Sequence, residues 1–230
     1  MWEVIEGLKR AIELIISGDP AVLDATFRSL YISGTATLLA LAWSLPLGIL
    51  IGSKNFRGKK LVKGLFNALL GIPTVGLGLI LYLVFSKSGP LGMLHMLYRP
   101  TAIIIGQAML ITPIMVSFSA NAVEAVGTEV KDLAKTLGAS ENEASVAVLR
   151  EALPGVTLAV IASFNRAIAE LGIALMLGGN IAGLTRVLTT TIALETTRGN
   201  FELGIALTII LLLIVFTLNF AVNMLKREQT

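Results

Sequence analysis

The sequence has no cysteine, a single histidine (His95) and few charges. Without cysteine there is no disulfide, no thiolate metal site and no cysteine nucleophile. One histidine excludes a histidine-rich metal site within one chain. Charged residues make up 14% of the chain, roughly half the ~25% of ordinary soluble proteins. Hydrophobic residues make up 55%, and the mean hydropathy is +0.83. A soluble domain this apolar would lack the polar surface to stay dissolved, so the composition implies a bilayer as solvent. It also excludes disorder, collagen-like repeats and a disulfide-stapled scaffold. The formal charge of +3 is too small to argue for nucleic acid. No GxxxxGK[ST] run is present, so the chain binds no ATP through a P-loop. No Ser/His/Asp set or paired acidic site suggests an intramembrane hydrolase, and no catalytic or metal-ligating residue is assigned. No convincing internal repeat appears, which speaks against the inverted-repeat carriers driven by ion gradients.

What is present is long apolar runs. A helix needs about 20 mainly apolar residues to cross a bilayer, because nothing inside satisfies a bare backbone. Five stretches qualify, at about Ser29–Gly52, Leu61–Phe85, Thr101–Val123, Pro154–Gly178 and Leu203–Leu225. The expected fold is all-α and polytopic, with five transmembrane helices inside 29–225. Ahead of them, segment 1–28 carries Trp2, Ile5, Leu8, Ile12, Ile15 and Ile16 on one helical face. Glu3, Glu6, Lys9, Arg10 and Glu13 fall largely off it. This reads as an amphipathic helix on the membrane surface, or as a helix packed against the bundle. The acidic start without a continuous apolar core is not a signal peptide. Gly18-Asp19-Pro20 reads as a turn.

Lysine and arginine near the spans set orientation. The first loop holds Lys54, Arg57, Lys59, Lys60 and Lys63 with no acidic residue, which places it in the cytoplasm. Five spans then put the N-terminus outside and the 226–230 tail, with Lys226-Arg227, inside. Loop 124–153 is cytoplasmic by the same count. The loops at Ser86–Pro100 and Gly179–Glu202 face outward.

Loop 124–153 reads Lys131-Asp132-Leu133-Ala134-Lys135-Thr136-Leu137-Gly138-Ala139-Ser140, then a helical stretch, then Leu153-Pro154. A loop of this length needs structure of its own. Ala134, Gly138 and Ala139 are small enough for another surface to approach closely. Ser140 and Glu143 form a capping box for a short helix from Glu141 to Arg150. On these residues the chain resembles the membrane subunits of ATP-binding cassette (ABC) importers of the type I fold. Their hallmark is a cytoplasmic Glu-Ala-Ala…Gly loop that inserts a coupling helix into an ATPase subunit. Here Asp132-Leu133-Ala134 stands at the triplet and Gly138 follows at the expected spacing. The first two letters differ, and Leu153-Pro154 lies about three residues further on than in the common pattern. The resemblance implies ATPase-coupling roles for Asp132, Ala134, Leu137, Gly138, Ala139 and Ser140, with the Lys131–Arg150 loop carrying the ATPase movement to the spans.

The fourth span and the loop after it narrow the substrate. Phe164-Asn165-Arg166-Ala167-Ile168-Ala169-Glu170 leads into Gly178-Gly179-Asn180-Ile181-Ala182-Gly183-Leu184-Thr185-Arg186, and then Thr189-Thr190-Thr191. This string looks like the molybdate, tungstate and sulfate permeases. Ser86-Lys87-Ser88-Gly89-Pro90-Leu91-Gly92 and Asp19-Pro20 look most like the tungstate permeases. Charges at mid-membrane are costly and usually face a bundle interior or a wet path. Arg166 and Glu170, four residues apart, would share a helix face. Arg166 with Asn165 then lines a dianion path, or Arg166 and Glu170 neutralise each other in packing. Thr185, Thr189, Thr190 and Thr191 are uncharged donors and Arg186 a cation suited to a tetrahedral oxyanion, which puts Asn180, Thr185 and Arg186 on the path, or they belong to a loop that caps an outer re-entrant helix. Gly71, Gly76 and Gly78 around Pro73 mark close helix packing or a kink.

The resemblance implies the permease of an ATP-driven oxyanion importer for tungstate, with molybdate or sulfate as alternatives. A secondary carrier is the rival reading. The resemblance to importers also implies a homodimer with two ABC ATPase subunits, an extracytoplasmic oxyanion-binding protein and no cofactor in this chain; ATP and magnesium belong to the partner ATPase. The expected location is the cell membrane, multi-pass. No added domain follows the fifth span, so inhibition by a dedicated C-terminal domain is not expected.

Overall fold

The computed structural model describes residues 2–127 and 129–227. The side chains of Glu3 and of residues 221–227, and residues 228–230 of the expected 226–230 tail, lie outside the described residues. Among the described residues the chain is all-α. Its helices are α1 (Trp2–Ser17), α2 (Pro20–Ser53), α3 (Lys59–Leu69), α4 (Thr74–Phe85), α5 (Pro100–Ala125), α6 (Glu129–Thr136), α7 (Glu141–Ile168), α8 (Gly172–Gly178), α9 (Leu188–Thr197) and α10 (Phe201–Arg227), with a 3-10 turn at Gly92–Leu94. Four of them, α2, α5, α7 and α10, are long and apolar enough to span a membrane; α3 and α4, if counted together as one broken span, bring the number to five.

Local chemistry explains where these helices depart from the expected spans. α2 begins at Pro20 rather than Ser29, because the Asp19 carboxylate accepts the N–H groups of Ala21 and Val22, both at 3.0 Å. Pro20 at the first helical position needs no hydrogen bond for its nitrogen. Asp24 and Arg28 pair at one-turn spacing, so neither charge interrupts the helix. The second apolar run breaks between Leu69 and Thr74, around Gly71 and Pro73, which is the kink that those residues suggested. The fourth run is two elements. α7 begins ahead of Pro154, passes through it and ends at Ile168, and α8 starts at Gly172.

The chain divides into two compact units. The first comprises Met1–Ala36, Pro73–Gln107 and Ala167–Thr230. In it α1 packs on α10 through a narrow stripe: Gly7 sits against Ile205, and Ala11 and Leu14 join Ala206, Leu207 and Ile210 in one buried cluster. The face that packs is thus the small-residue stripe. The larger apolar face with Ile5, Leu8, Ile12, Ile15 and Ile16 stays exposed. Elsewhere in this unit α4 meets α8 where Gly78 lies beside Met176.

The second unit comprises Thr37–Ile72 and Ala108–Arg166. Glycines set its helix contacts. Gly48 and Gly52 of α2 lie against α5, and Gly155 of α7 lies against Ala122. Val123, Val148 and Ala152 close the other side. Small residues let membrane helices approach where no hydrophobic drive separates lipid from protein. A Cβ on Gly52 would stand 2.7 Å from the Ala120 carbonyl oxygen and 2.8 Å from Val123 Cβ. Backbone cannot rotate away as a side chain can, so Gly52→Val is expected to destabilise by about 1–3 kcal/mol. A lower melting temperature in detergent checks this. Gly64→Val, where a Cβ meets nothing within 4 Å, is the matched control and should change little.

Candidate functional site

The segment from Glu129 to Leu153 forms a helix-turn-helix whose turn is closed by backbone and capping bonds. α6 has Glu129 and Asp132 in its first turn and Lys135 in its last, the charge order that suits the helix dipole. It ends in a Schellman turn: the N–H of Gly138 bonds the Lys135 carbonyl and that of Ala139 bonds the Ala134 carbonyl, both at 3.0 Å. Gly138 sits at φ +92°, where a Cβ is disfavoured. The Ala134…Gly138-Ala139 spacing therefore has a backbone cause. Ser140 then caps α7: its N–H reaches the Glu143 carboxylate at 2.8 Å, and the Glu143 N–H reaches Ser140 Oγ at 3.4 Å. The expected capping box is present, and the helix it starts runs on to Ile168 instead of stopping near Arg150.

One carboxylate joins the two helices. Glu141, in the first turn of α7 and well ahead of its apolar part, accepts from both Lys131 and Lys135. The lysine ammonium groups, Lys131 foremost, hold its carboxyl down at about 2. These lysines, one turn apart on α6, were not among the residues that sequence reasoning selected. Their spacing and the facing glutamate were the available signal.

The surface presented by this motif is apolar and exposed. No residue of α6 is buried. Leu133 is 61% exposed, and Leu137, just past the helix, is 79% exposed. The Leu137 N–H still bonds the Leu133 carbonyl, so the spacing of four stacks the two side chains on one side. Asp132, Gly138 and Ser140 are also exposed, while Ala134 and Ala139 are half-buried.

The second candidate region lies in the first unit, from Ala167 onward. Asn165 and Arg166, the last residues of the second unit, are half-buried in the final turns of α7. Glu170 is 3% exposed and lies beyond the end of that helix. At that point Glu170 Oε1 accepts the N–H of Ile173 at 3.1 Å, at the start of α8, and its backbone carbonyl accepts from Thr189 Oγ1 at 2.9 Å.

The hydroxyls that follow are engaged with backbone. Thr185 is fully buried; it donates to the Gly178 carbonyl at 2.6 Å and accepts from the Ile181 N–H at 2.9 Å. Thr190 and Thr191 both donate to the Val187 carbonyl. Arg186 Nε donates to Asn180 Oδ1 at 3.2 Å, and Asn180 holds φ +52°. These residues form a self-closed loop, and its threonines are the means of closure. Sequence reasoning missed what anchors it. Arg28, already paired with Asp24, donates to the Arg186 carbonyl at 3.4 Å, and Ser29 Oγ accepts the N–H of Leu188 at 2.8 Å. The Tyr98 N–H bonds the Leu177 carbonyl at 2.8 Å and the Tyr98 ring covers Gly179.

Residues 44–229 match the family model described as the inner membrane component of binding-protein-dependent transport systems. The chain belongs to this family. As an inner membrane component it is a multi-pass permease of the cell membrane, not itself a catalyst. It is 39% identical to the tungstate uptake system permease protein of Peptoclostridium acidaminophilum, over 99% of this chain and 100% of that protein. It is 36% identical to the tungstate uptake system permease protein of Campylobacter jejuni, over 97% of this chain and 94% of that one. Among solved structures, a chain of an inward-facing methionine ABC transporter superposes with a TM-score of 0.72 at 17% identity, over 91% of this chain and 96% of the other. That likeness establishes the fold of an importer permease.

Proposed function

We propose that this chain is the permease subunit of an ATP-driven tungstate importer. Its full-length identity to tungstate uptake permeases carries the reading. In it, two copies form the translocation path at their two-fold interface. Two ATPase chains, which hold ATP and magnesium, dock below, and an extracytoplasmic binding protein delivers the anion. The N-terminus lies outside and the C-terminus inside. The exposed Leu133 and Leu137 at the end of α6 support the docking role of the cytoplasmic loop. α6 has no fully buried residue: Val130 packs on the cluster of Val123, Val148 and Ala152, while the side with Leu133 and Leu137 is left for a partner. The double lysine clip on Glu141 supports movement of α6 with α7, so that a push at the docking face reaches the membrane as a lever rather than being lost in a soft loop.

The test is uptake into proteoliposomes holding this chain with its candidate ATPase and binding protein. Labelled tungstate is supplied with excess molybdate or sulfate as competitor, with and without internal ATP. ATP-dependent tungstate uptake little affected by competitors is the expected result. ATP-dependent uptake with another preferred anion would replace tungstate by molybdate or sulfate. Uptake by this chain alone without ATP would overturn the reading in favour of a carrier.

A further inference from the structure

No aspartate or glutamate occurs in the sequence between Asp24 and Glu124. Within that interval lies a cleft of about 460 Å³, lined by the end of α4 and the segment Ser86–Arg99. Its walls include Lys87, His95, Arg99 and the two tyrosines Tyr82 and Tyr98, with no carboxylate among them. Lys87, His95 and Arg99 are exposed to solvent. The Tyr98 hydroxyl donates to that of Tyr82 at 3.4 Å, so the pair shares one hydrogen bond and keeps one O–H hydrogen for a ligand. That contact also raises the Tyr98 hydroxyl above its ordinary value.

The backbone of this wall is unusual. Among the described residues, the non-glycine residues with left-handed φ are His95 (+47°), Tyr98 (+61°) and Asn180 (+52°). Two of them line the cleft. Such conformations are disfavoured for residues with a Cβ and persist where the surroundings impose them. Here the imposing contacts are visible: the Tyr98 N–H is fixed to the Leu177 carbonyl, and its ring lies on Gly179, itself at φ +68°. The wall is thus tied to the loop that carries Asn180, Thr185 and Arg186.

We propose that this cleft is an oxyanion site on the permease itself, with Lys87 and Arg99 as its charged contacts and the Tyr82 hydroxyl as a neutral donor. Two cations with no local carboxylate favour an oxyanion, and an arginine adds paired donors for tetrahedral oxygens. The same chemistry fits free tungstate and the phosphate of a lipid headgroup. The tungstate assignment rests on the function proposed above; the oxyanion assignment rests on the cleft.

Equilibrium dialysis of the full chain in zwitterionic lipid nanodiscs, without binding protein, tests it. Sodium tungstate is the probe, and retained tungsten is counted by mass spectrometry. A second arm adds phosphatidylglycerol to the nanodiscs and counts the lipid retained per chain after extraction. The expected result is saturable retention in one arm. It should fall about tenfold or more in the Lys87→Gln/Arg99→Gln variant, since each lost charged hydrogen bond is worth roughly that factor. It should also fall as salt rises, and stay unchanged in Lys54→Gln. Retention in the tungstate arm identifies the free anion, and retention in the lipid arm identifies the headgroup. Equal retention by parent and variant in both arms, or none in either, overturns the site. The single Lys87→Gln variant serves if the double variant fails to fold, with the same outcomes read from it. ATP-dependent tungstate uptake in parallel proteoliposomes separates failure of this site from failure of the importer reading.

Discussion

Leu137→Glu is expected to reduce ATP-driven uptake by the reconstituted transporter more than about tenfold while the chain remains folded in the membrane. Leu137 is 79% exposed, so the substitution removes almost no contact within this chain. At an interface the same side chain would be covered, and an unpaired carboxylate buried there opposes docking. Apolar anchors at such positions carry roughly 2 kcal/mol or more, which is about thirtyfold in a binding constant. Leu133→Glu, on the same side and 61% exposed, should act in the same direction. Gly138→Glu, the substitution that the loop motif first suggests, is a poorer probe. Gly138 holds φ +92°, and a Cβ placed there would meet nothing within 4 Å. The cost is therefore in the backbone: any residue with a Cβ strains the Schellman turn by roughly 1–2 kcal/mol before a partner is met. Loss of uptake there mixes backbone strain with docking. ATPase pull-down by the Leu137→Glu chain, together with its melting temperature, completes the measurement. Normal coupled uptake in that variant would remove α6 as the docking element.

The Glu170 pair of substitutions separates two roles that the sequence leaves open. Glu170→Ala deletes the acceptor for the Ile173 N–H at the start of α8, inside a site only 3% exposed. A buried donor left without an acceptor costs about 1–3 kcal/mol, so a clear fall in melting temperature is expected, with transport falling as folded chain is lost. Glu170→Gln keeps an oxygen for that N–H and removes the charge. If the residue serves α8 and the Thr189 contact, the glutamine variant should keep most of the stability and the uptake. Stable glutamine chain with uptake lost would instead assign the negative charge a role along the path.

Most of the fold was legible because its signals are local or compositional. Apolar runs without charge report helices in a bilayer whatever else they touch. Asp19-Pro20 and Ser140…Glu143 report helix starts because the caps are satisfied within a few residues. The α6 motif was legible for the same reason: the left-handed residue that ends the helix favours glycine for steric reasons confined to the turn. The less legible parts depend on partners distant in sequence. Nothing in the run from Pro154 to Gly178 announces that the helix stops at Ile168, because the stop is supported by Glu170 turning to α8 and by Thr189 binding its carbonyl. The threonines after Gly183 suggested oxyanion donors, since a hydroxyl in a sequence shows what it can donate and not what it already holds.

The solvent, the helical class, the approximate place of the apolar runs, the family and the turn after α6 all follow from composition or short-range spacing. Packing settled which face of α1 is covered, because a narrow stripe of Gly7, Ala11 and Leu14 fits α10 closely while the larger apolar face does not need protein to be satisfied. It also turned Thr185 into the closure of a loop. And it gathered Lys87, Arg99 and two tyrosines, spread from Tyr82 to Arg99 in the chain, around one cleft. Charges and hydroxyls act through distance, and distance between residues far apart in the chain exists only once the helices have packed.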